Sequence, residues 1–274
     1  METLLKARAT STLIALPIVV LCIWLGSYWF IALICMGGSV ASYELSRMVG
    51  GPNSKKESFL SGFLSGSIIL AIGILVSTVD ITIFPYSVTA VALSIFSILW
   101  VFFPIPSQKN LLRHTLLVLA PSIFISLTLS HSLLIRGLPS GLEWVLFILT
   151  VVAMADTSAL LVGRFLGKIP LYPSISPAKT WEGTIAALVA AITSSIVFSI
   201  TFDMNINIQT SIIIGFLMGI TGQIGDLVES AVKRRAGVKD SGNLMPGHGG
   251  AFDRLDSIVF NLPLLYHLIR WMDI

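Results

Sequence analysis

Apolar residues run along this chain in long stretches, interrupted at intervals by short polar clusters. A helix that crosses a bilayer needs about 20 consecutive apolar residues. On that measure the pattern predicts nine spans, at 10–26, 28–48, 58–78, 82–103, 111–131, 142–163, 181–202, 211–232 and 254–272. Pro85, Pro104, Pro106 and Pro121 bracket or enter the fourth and fifth. The expected fold is all-α and polytopic. Residues 1–135 would form N-terminal helices for packing, dimer contact and lipid access. Residues 136–274 would form a catalytic region with two polar loops, 164–180 and 233–253.

Composition agrees with this pattern. Mean hydropathy is +0.90 and only 11% of residues are charged, against about a quarter in soluble domains. A soluble globular protein is excluded. Lys6 and Arg8 precede an apolar run as in a signal peptide, but no small-x-small site follows and further spans do, so cleavage is not expected. With the N-terminus inside, every basic residue of the 17 except Arg136 and Arg270 falls on the inner side. The positive-inside rule therefore favours N-in, C-out, with both polar loops facing the cytoplasm from the cytoplasmic (inner) membrane. Cys22 and Cys35 sit in apolar segments and suggest neither a disulfide nor a metal site. No nucleic-acid motif is present, and the basic residues are confined to loops.

Particular positions refine the picture. Gly62-x-x-x-Gly66, flanked by Ser61 and Ser65, offers a small-residue face for close helix packing, more plausibly within the chain than between copies. His114 and His131, near predicted helix ends, read as surface groups. Asp156 lies within the sixth span, where a charge costs roughly 2.5–3.5 kcal/mol on insertion scales. It should face a polar cavity, and Asp226 in the glycine-rich eighth span is the expected companion. Three prolines should keep 164–180 irregular, with Ser176 and Thr180 able to cap the next helix and Glu182 complementing its dipole. Lys179 has the wrong sign for a helix start unless an anion sits there.

Charge is densest between Gly222 and Asp256. Gln223, Asp226, Glu229 or Ser230, and Lys233 share one helical face. The glycine-rich middle would let backbone N–H groups approach phosphate. Asp253 and Asp256, three apart, are expected to open the last helix on a common side. Converging carboxylates flanked by Lys233, Arg234, Lys239 and Arg254 suit a hard cation and a polyphosphate. A solvated interhelical loop with ordinary ion pairs would not require a glycine-flanked His248 between two carboxylate pairs.

The run Ser230-x-x-Lys233-Arg234-x4-Lys239-Asp240-Ser241-Gly242-x3-Pro246-Gly247-His248-Gly249-Gly250-x2-Asp253-Arg254-x-Asp256 resembles the signature of phosphatidate cytidylyltransferases. Ser176-Pro177-Ala178-Lys179-Thr180-Trp181-Glu182-Gly183 and Ala155-Asp156-Thr157 with Gly163-Arg164 are similar to that family too. The likeness covers roughly residues 150–260; the first half shares only its apolar character. Met245, Ala251 and Leu160 depart from the usual residues, at packing positions.

The resemblance implies transfer of CMP from CTP to phosphatidic acid, with Mg²⁺ as cofactor, one cation or two, and a homodimer in the bilayer. Residues and resemblance together put Asp226, Asp253 and Asp256 on metal, and Asp226, Lys233, His248, Asp253 and Asp256 at the chemistry. Lys179, Lys233, Arg234, Lys239, Arg254, His248, Gly249 and Gly250 would lie along the phosphates, with Asp240 binding metal or orienting Lys239. A CTP-dependent lipid-alcohol kinase is the nearest rival; its product would be CDP. A cation-coupled transporter would use Asp156 and Asp226, but repeat symmetry is missing.

Overall fold

The computed structural model describes residues 17–78, 111–242 and 249–274. A helical stretch at 17–25 ends at Gly26, whose φ is +62°. A Cβ there would meet only the Arg136 guanidinium, which can move aside, so it is the backbone conformation that calls for glycine. Then follow α1 (Ser27–Gly50), α2 (Lys55–Thr78), α3 (Leu111–Arg136) and α4 (Gly141–Leu166). Strands β1 (Pro170–Tyr172) and β2 (Ser176–Thr180) lead into α5 (Trp181–Thr201) and α6 (Ile208–Arg235). A 3₁₀ turn at Phe252–Arg254 precedes α7 (Asp256–Met272).

The six helices from α1 to α6 each contain a segment long and apolar enough to cross a membrane. The protein is thus a helical, multi-pass membrane protein. The ninth expected span is α7, a helix of 17 residues that is not among those six. The span expected at 82–103, and the first part of that at 10–26, lie outside the described residues.

Two sequence expectations change. The segment 164–180 contains an antiparallel hairpin that pairs Pro170 with Thr180 and Tyr172 with Ser176. Its prolines fit because a two-stranded sheet has only edge strands, where a missing N–H need not leave a gap in the ladder. Asp253 does not open the last helix with Asp256. It belongs to the 3₁₀ turn, and α7 starts at Asp256.

The helices group into two compact units. One comprises α1–α3 with segments 232–242 and 249–255; the other comprises Leu138–Ala231 with Asp256–Ile274. In lipid, apolar side chains gain little by leaving the solvent, so small residues and hydrogen bonds bring helices together. In the first unit, Gly62 and Gly66 of α2 pack on Ser39 of α1; a Cβ at Gly62 would lie 2.7 Å from the Ser39 carbonyl oxygen. The glycine pair therefore serves packing within the chain. Ser42 and Ser61 hydroxyls lie 2.8 Å apart, Ser61 and Ser122 hydroxyls 3.2 Å, and Ser46 donates to the Leu117 carbonyl at 2.8 Å.

In the second unit α4 and α5 cross at glycines: a Cβ at Gly183 would lie 2.8 Å from the Ala159 carbonyl oxygen and 3.3 Å from Gly163 Cα. At Gly215 of α6 it would lie 2.8 Å from both the Ala191 carbonyl oxygen and Ile192 Cα of α5. Backbone cannot step aside as a flexible side chain can. Gly215→Leu is expected to destabilise the protein by about 1–3 kcal/mol, read as a lower melting temperature in detergent. Gly37→Ala, with nothing within 4 Å of its Cβ, is the control that should hardly move it.

Candidate active site

The second unit builds a charged cavity from four elements. Thr180 closes β2 and caps α5, accepting the Gly183 N–H at 3.2 Å. Glu182 accepts the Ile169 N–H at 3.3 Å, which ties the hairpin to the start of α5. Ser176, the other expected cap, is used in the strand pairing. This arrangement delivers Lys179 to α6, where its Nζ lies 2.5 Å from Asp226 Oδ2. The anion that Lys179 required from its position in the sequence is, in this structure, a carboxylate of the site itself.

Helix α6 has 28 residues and is about 42 Å long at 1.5 Å per residue. That exceeds a hydrocarbon core of about 30 Å, so roughly its last two turns have length to project beyond the core. Asp226 and Glu229, three residues apart, lie on one face of α6, Asp226 just before those two turns and Glu229 within them. The start of α7 comes close because Gly225 leaves room: a Cβ there would lie 2.8 Å from the Asp256 carbonyl oxygen. As a result Asp226, Glu229 and Asp256 each offer a carboxylate oxygen within 4.8 Å of the others. Glu229 is 2% exposed. Three hard oxygen donors at this spacing fit a divalent cation such as Mg²⁺.

A cavity of about 440 Å³ adjoins this cluster, its wall formed in part by Asp156, Gly163, Arg164, Lys179, Gln223 and Asp226. The polar cavity expected to join Asp156 to Asp226 is present.

In the first unit, Asp253 is the centre of a separate set of contacts. It accepts from Lys233 Nζ at 3.0 Å, from the Ser241 N–H at 2.9 Å and from the Gly250 N–H at 2.8 Å. Gly249 holds φ at +82°, and a Cβ there would stand 2.6 Å from Asp253 Oδ2. The Gly250 N–H, expected to face a phosphate, is donated to Asp253 instead. Arg234, Lys239, Asp240 and Arg254 are exposed. His248 lies outside the described residues. Sequence reasoning placed Glu229 on the correct helical face but gave it no ligand role. Its spacing of three from Asp226 was the available signal.

The sequence profile of the cytidylyltransferase family matches residues 6–272. The chain belongs to the cytidylyltransferase family. It is similar to the phosphatidate cytidylyltransferase of Bacillus subtilis (strain 168), 32% identical over 97% of each chain. The enzyme of the same name from Staphylococcus saprophyticus is 43% identical over 47% of this chain and 50% of its own. That from Staphylococcus haemolyticus is 42% identical over 48% and 51%. These staphylococcal matches thus span about half the length of either relative. The family profile extends the likeness beyond residues 150–260, so the first helices belong to the cytidylyltransferase as much as the charged segments do.

Proposed function

We propose that this cytidylyltransferase transfers CMP from CTP to phosphatidic acid, giving CDP-diacylglycerol and pyrophosphate for phospholipid synthesis. It works as a homodimer in the cytoplasmic membrane with its site facing the cytoplasm. The observation that carries this reading is the convergence of Asp226, Glu229 and Asp256 beside a cavity bearing Lys179 and Arg164. The lipid's phosphate monoester is already nucleophilic. One of its oxygens forms a bond to the α-phosphorus of CTP as the bond to the bridging oxygen breaks, and pyrophosphate leaves with that electron pair. No serine, cysteine or histidine nucleophile is required.

The chain's task is to bring two anions together and offset their charge. Asp226, Glu229 and Asp256 would hold Mg²⁺, which supplies charge neutralisation and orientation of phosphate oxygens. Lys179 and Arg164 present cations to phosphate from the cavity wall. Lys233, Arg234, Lys239 and Arg254 are assigned to phosphate through the family signature, as is His248. Asp253 orders the segment that carries them.

The test is an assay in detergent micelles with α-labelled CTP, dioleoyl phosphatidate and Mg²⁺. Label should enter the organic phase and stop doing so with EDTA. Label that stays aqueous, with CDP formed once a lipid alcohol replaces phosphatidate, would replace this reading by the kinase.

A further inference from the structure

The first helices contain an acid that the site described above does not use. Glu44 is only 5% exposed, less than two turns before the end of α1. A buried carboxylate in a span persists only when polar groups engage it. Its partners come from the far end of the sequence. Oε2 accepts the Phe252 N–H at 2.9 Å and the Ser241 hydroxyl at 3.3 Å. Both donors are buried, at 4% and 8% exposure.

Two signature glycines close over the same carboxylate. A Cβ at Gly242 would collide with Glu44 Oε1, and one at Gly250 with Glu44 Oε2 and the Ser241 hydroxyl. Neither glycine has a positive φ. They are small because they sit on Glu44, which is a different reason from letting N–H groups approach a ligand. Ser241–Gly242 enters the glycine-rich stretch and Gly250–Phe252 leaves it, so one side chain holds both ends.

We propose that Glu44 is a positioning residue, clamping Ser241–Gly242 and Gly250–Phe252 to α1 so that the signature segment keeps its working shape. The proposal rests on the function above only in giving that segment a part in phosphate binding. It assigns the first helices a share in the reaction.

The test compares Glu44→Ala, Glu44→Gln and Gly242→Ala in the full-length protein in nanodiscs, with turnover and backbone amide exchange as readouts. In Glu44→Ala, exchange at Ser241 and Phe252 should quicken at least about ten-fold and kcat should fall about ten- to a hundred-fold, as expected for losing buried hydrogen bonds that fix geometry. Exchange across Lys179–Thr184 should not change. Glu44→Gln keeps an acceptor oxygen and should stay within about three-fold of the parent on both readouts. Gly242→Ala should be damaging beside Glu44 yet add little in the Glu44→Ala background.

Unchanged exchange in Glu44→Ala would overturn the clamp whatever the turnover. So would Gly242→Ala costing as much with Glu44 absent as present. Faster exchange with parental turnover would overturn the link to the reaction. If Glu44→Ala does not fold, Gly242→Ala in the parent still decides the question: quicker exchange at Ser241 and Phe252 supports the clamp, and unchanged exchange there overturns it. A parent without cytidylyl transfer would remove the functional reading and leave the exchange comparison to judge the clamp alone.

Discussion

Asp226→Asn should lower turnover by about 10²–10³-fold while the protein stays folded and membrane-inserted. Among the described residues, Asp226 alone is at once a wall of the charged cavity, the ion-pair partner of Lys179 and a member of the three-carboxylate cluster. The substitution keeps size and hydrogen-bonding capacity but removes a charged ligand oxygen. It also leaves Lys179 Nζ without the carboxylate that lies 2.5 Å away. Removing one preorganised electrostatic group commonly costs about 10²–10³ in kcat. The same variant should need more Mg²⁺ to reach half its maximal rate. Manganese binding, followed by electron paramagnetic resonance without substrate, should weaken in parallel. Parental turnover together with parental manganese affinity would take the cation away from this cluster.

Different parts of this molecule were legible for different physical reasons. The helices α1, α2, α4, α5 and α6 could be read because a span must be long and apolar whatever it packs against. Gly62 and Gly66 were legible because close helix contact in lipid favours small residues. Thr180 was legible as a cap because its signal is local.

The contacts of Asp253 were not. An i, i+3 pattern says which side chains share a helical face, but it cannot say that a carboxylate sits in a 3₁₀ turn and takes N–H groups from Ser241 and Gly250. Glu229 and Ser230 were equivalent on pattern, and burial separates them. Glu44 carried no signal at all, because its partners lie 197 and 208 residues further along the chain. The hairpin at 170–180 was hidden by its prolines, which argue against a strand only where both edges are paired.

Asp253→Asn is expected to lower turnover about 10²-fold while the Mg²⁺ needed for half-maximal rate shifts by less than about three-fold. Its carboxylate receives three donors at once, and the pair it forms with Lys233 is mostly buried, with side-chain exposures of 16% and 9%. An asparagine has one acceptor oxygen, and it turns an NH₂ toward groups that also donate. Breaking a pair at this depth costs roughly 3 kcal/mol, the lower end of the range for buried ion pairs. That strain falls on the segment the pair organises, so protease cleavage near Ser241 should accelerate. Replacing both partners, as in Asp253→Asn with Lys233→Met, removes the unpaired charge and should recover part of the melting temperature without restoring turnover. The contrast with Asp226→Asn separates the two acids: one should change the cation requirement, the other the order of the loop. A ten-fold rise in the Mg²⁺ requirement of Asp253→Asn, with the loop still protected from protease, would instead make Asp253 a metal ligand as its place in the signature suggests.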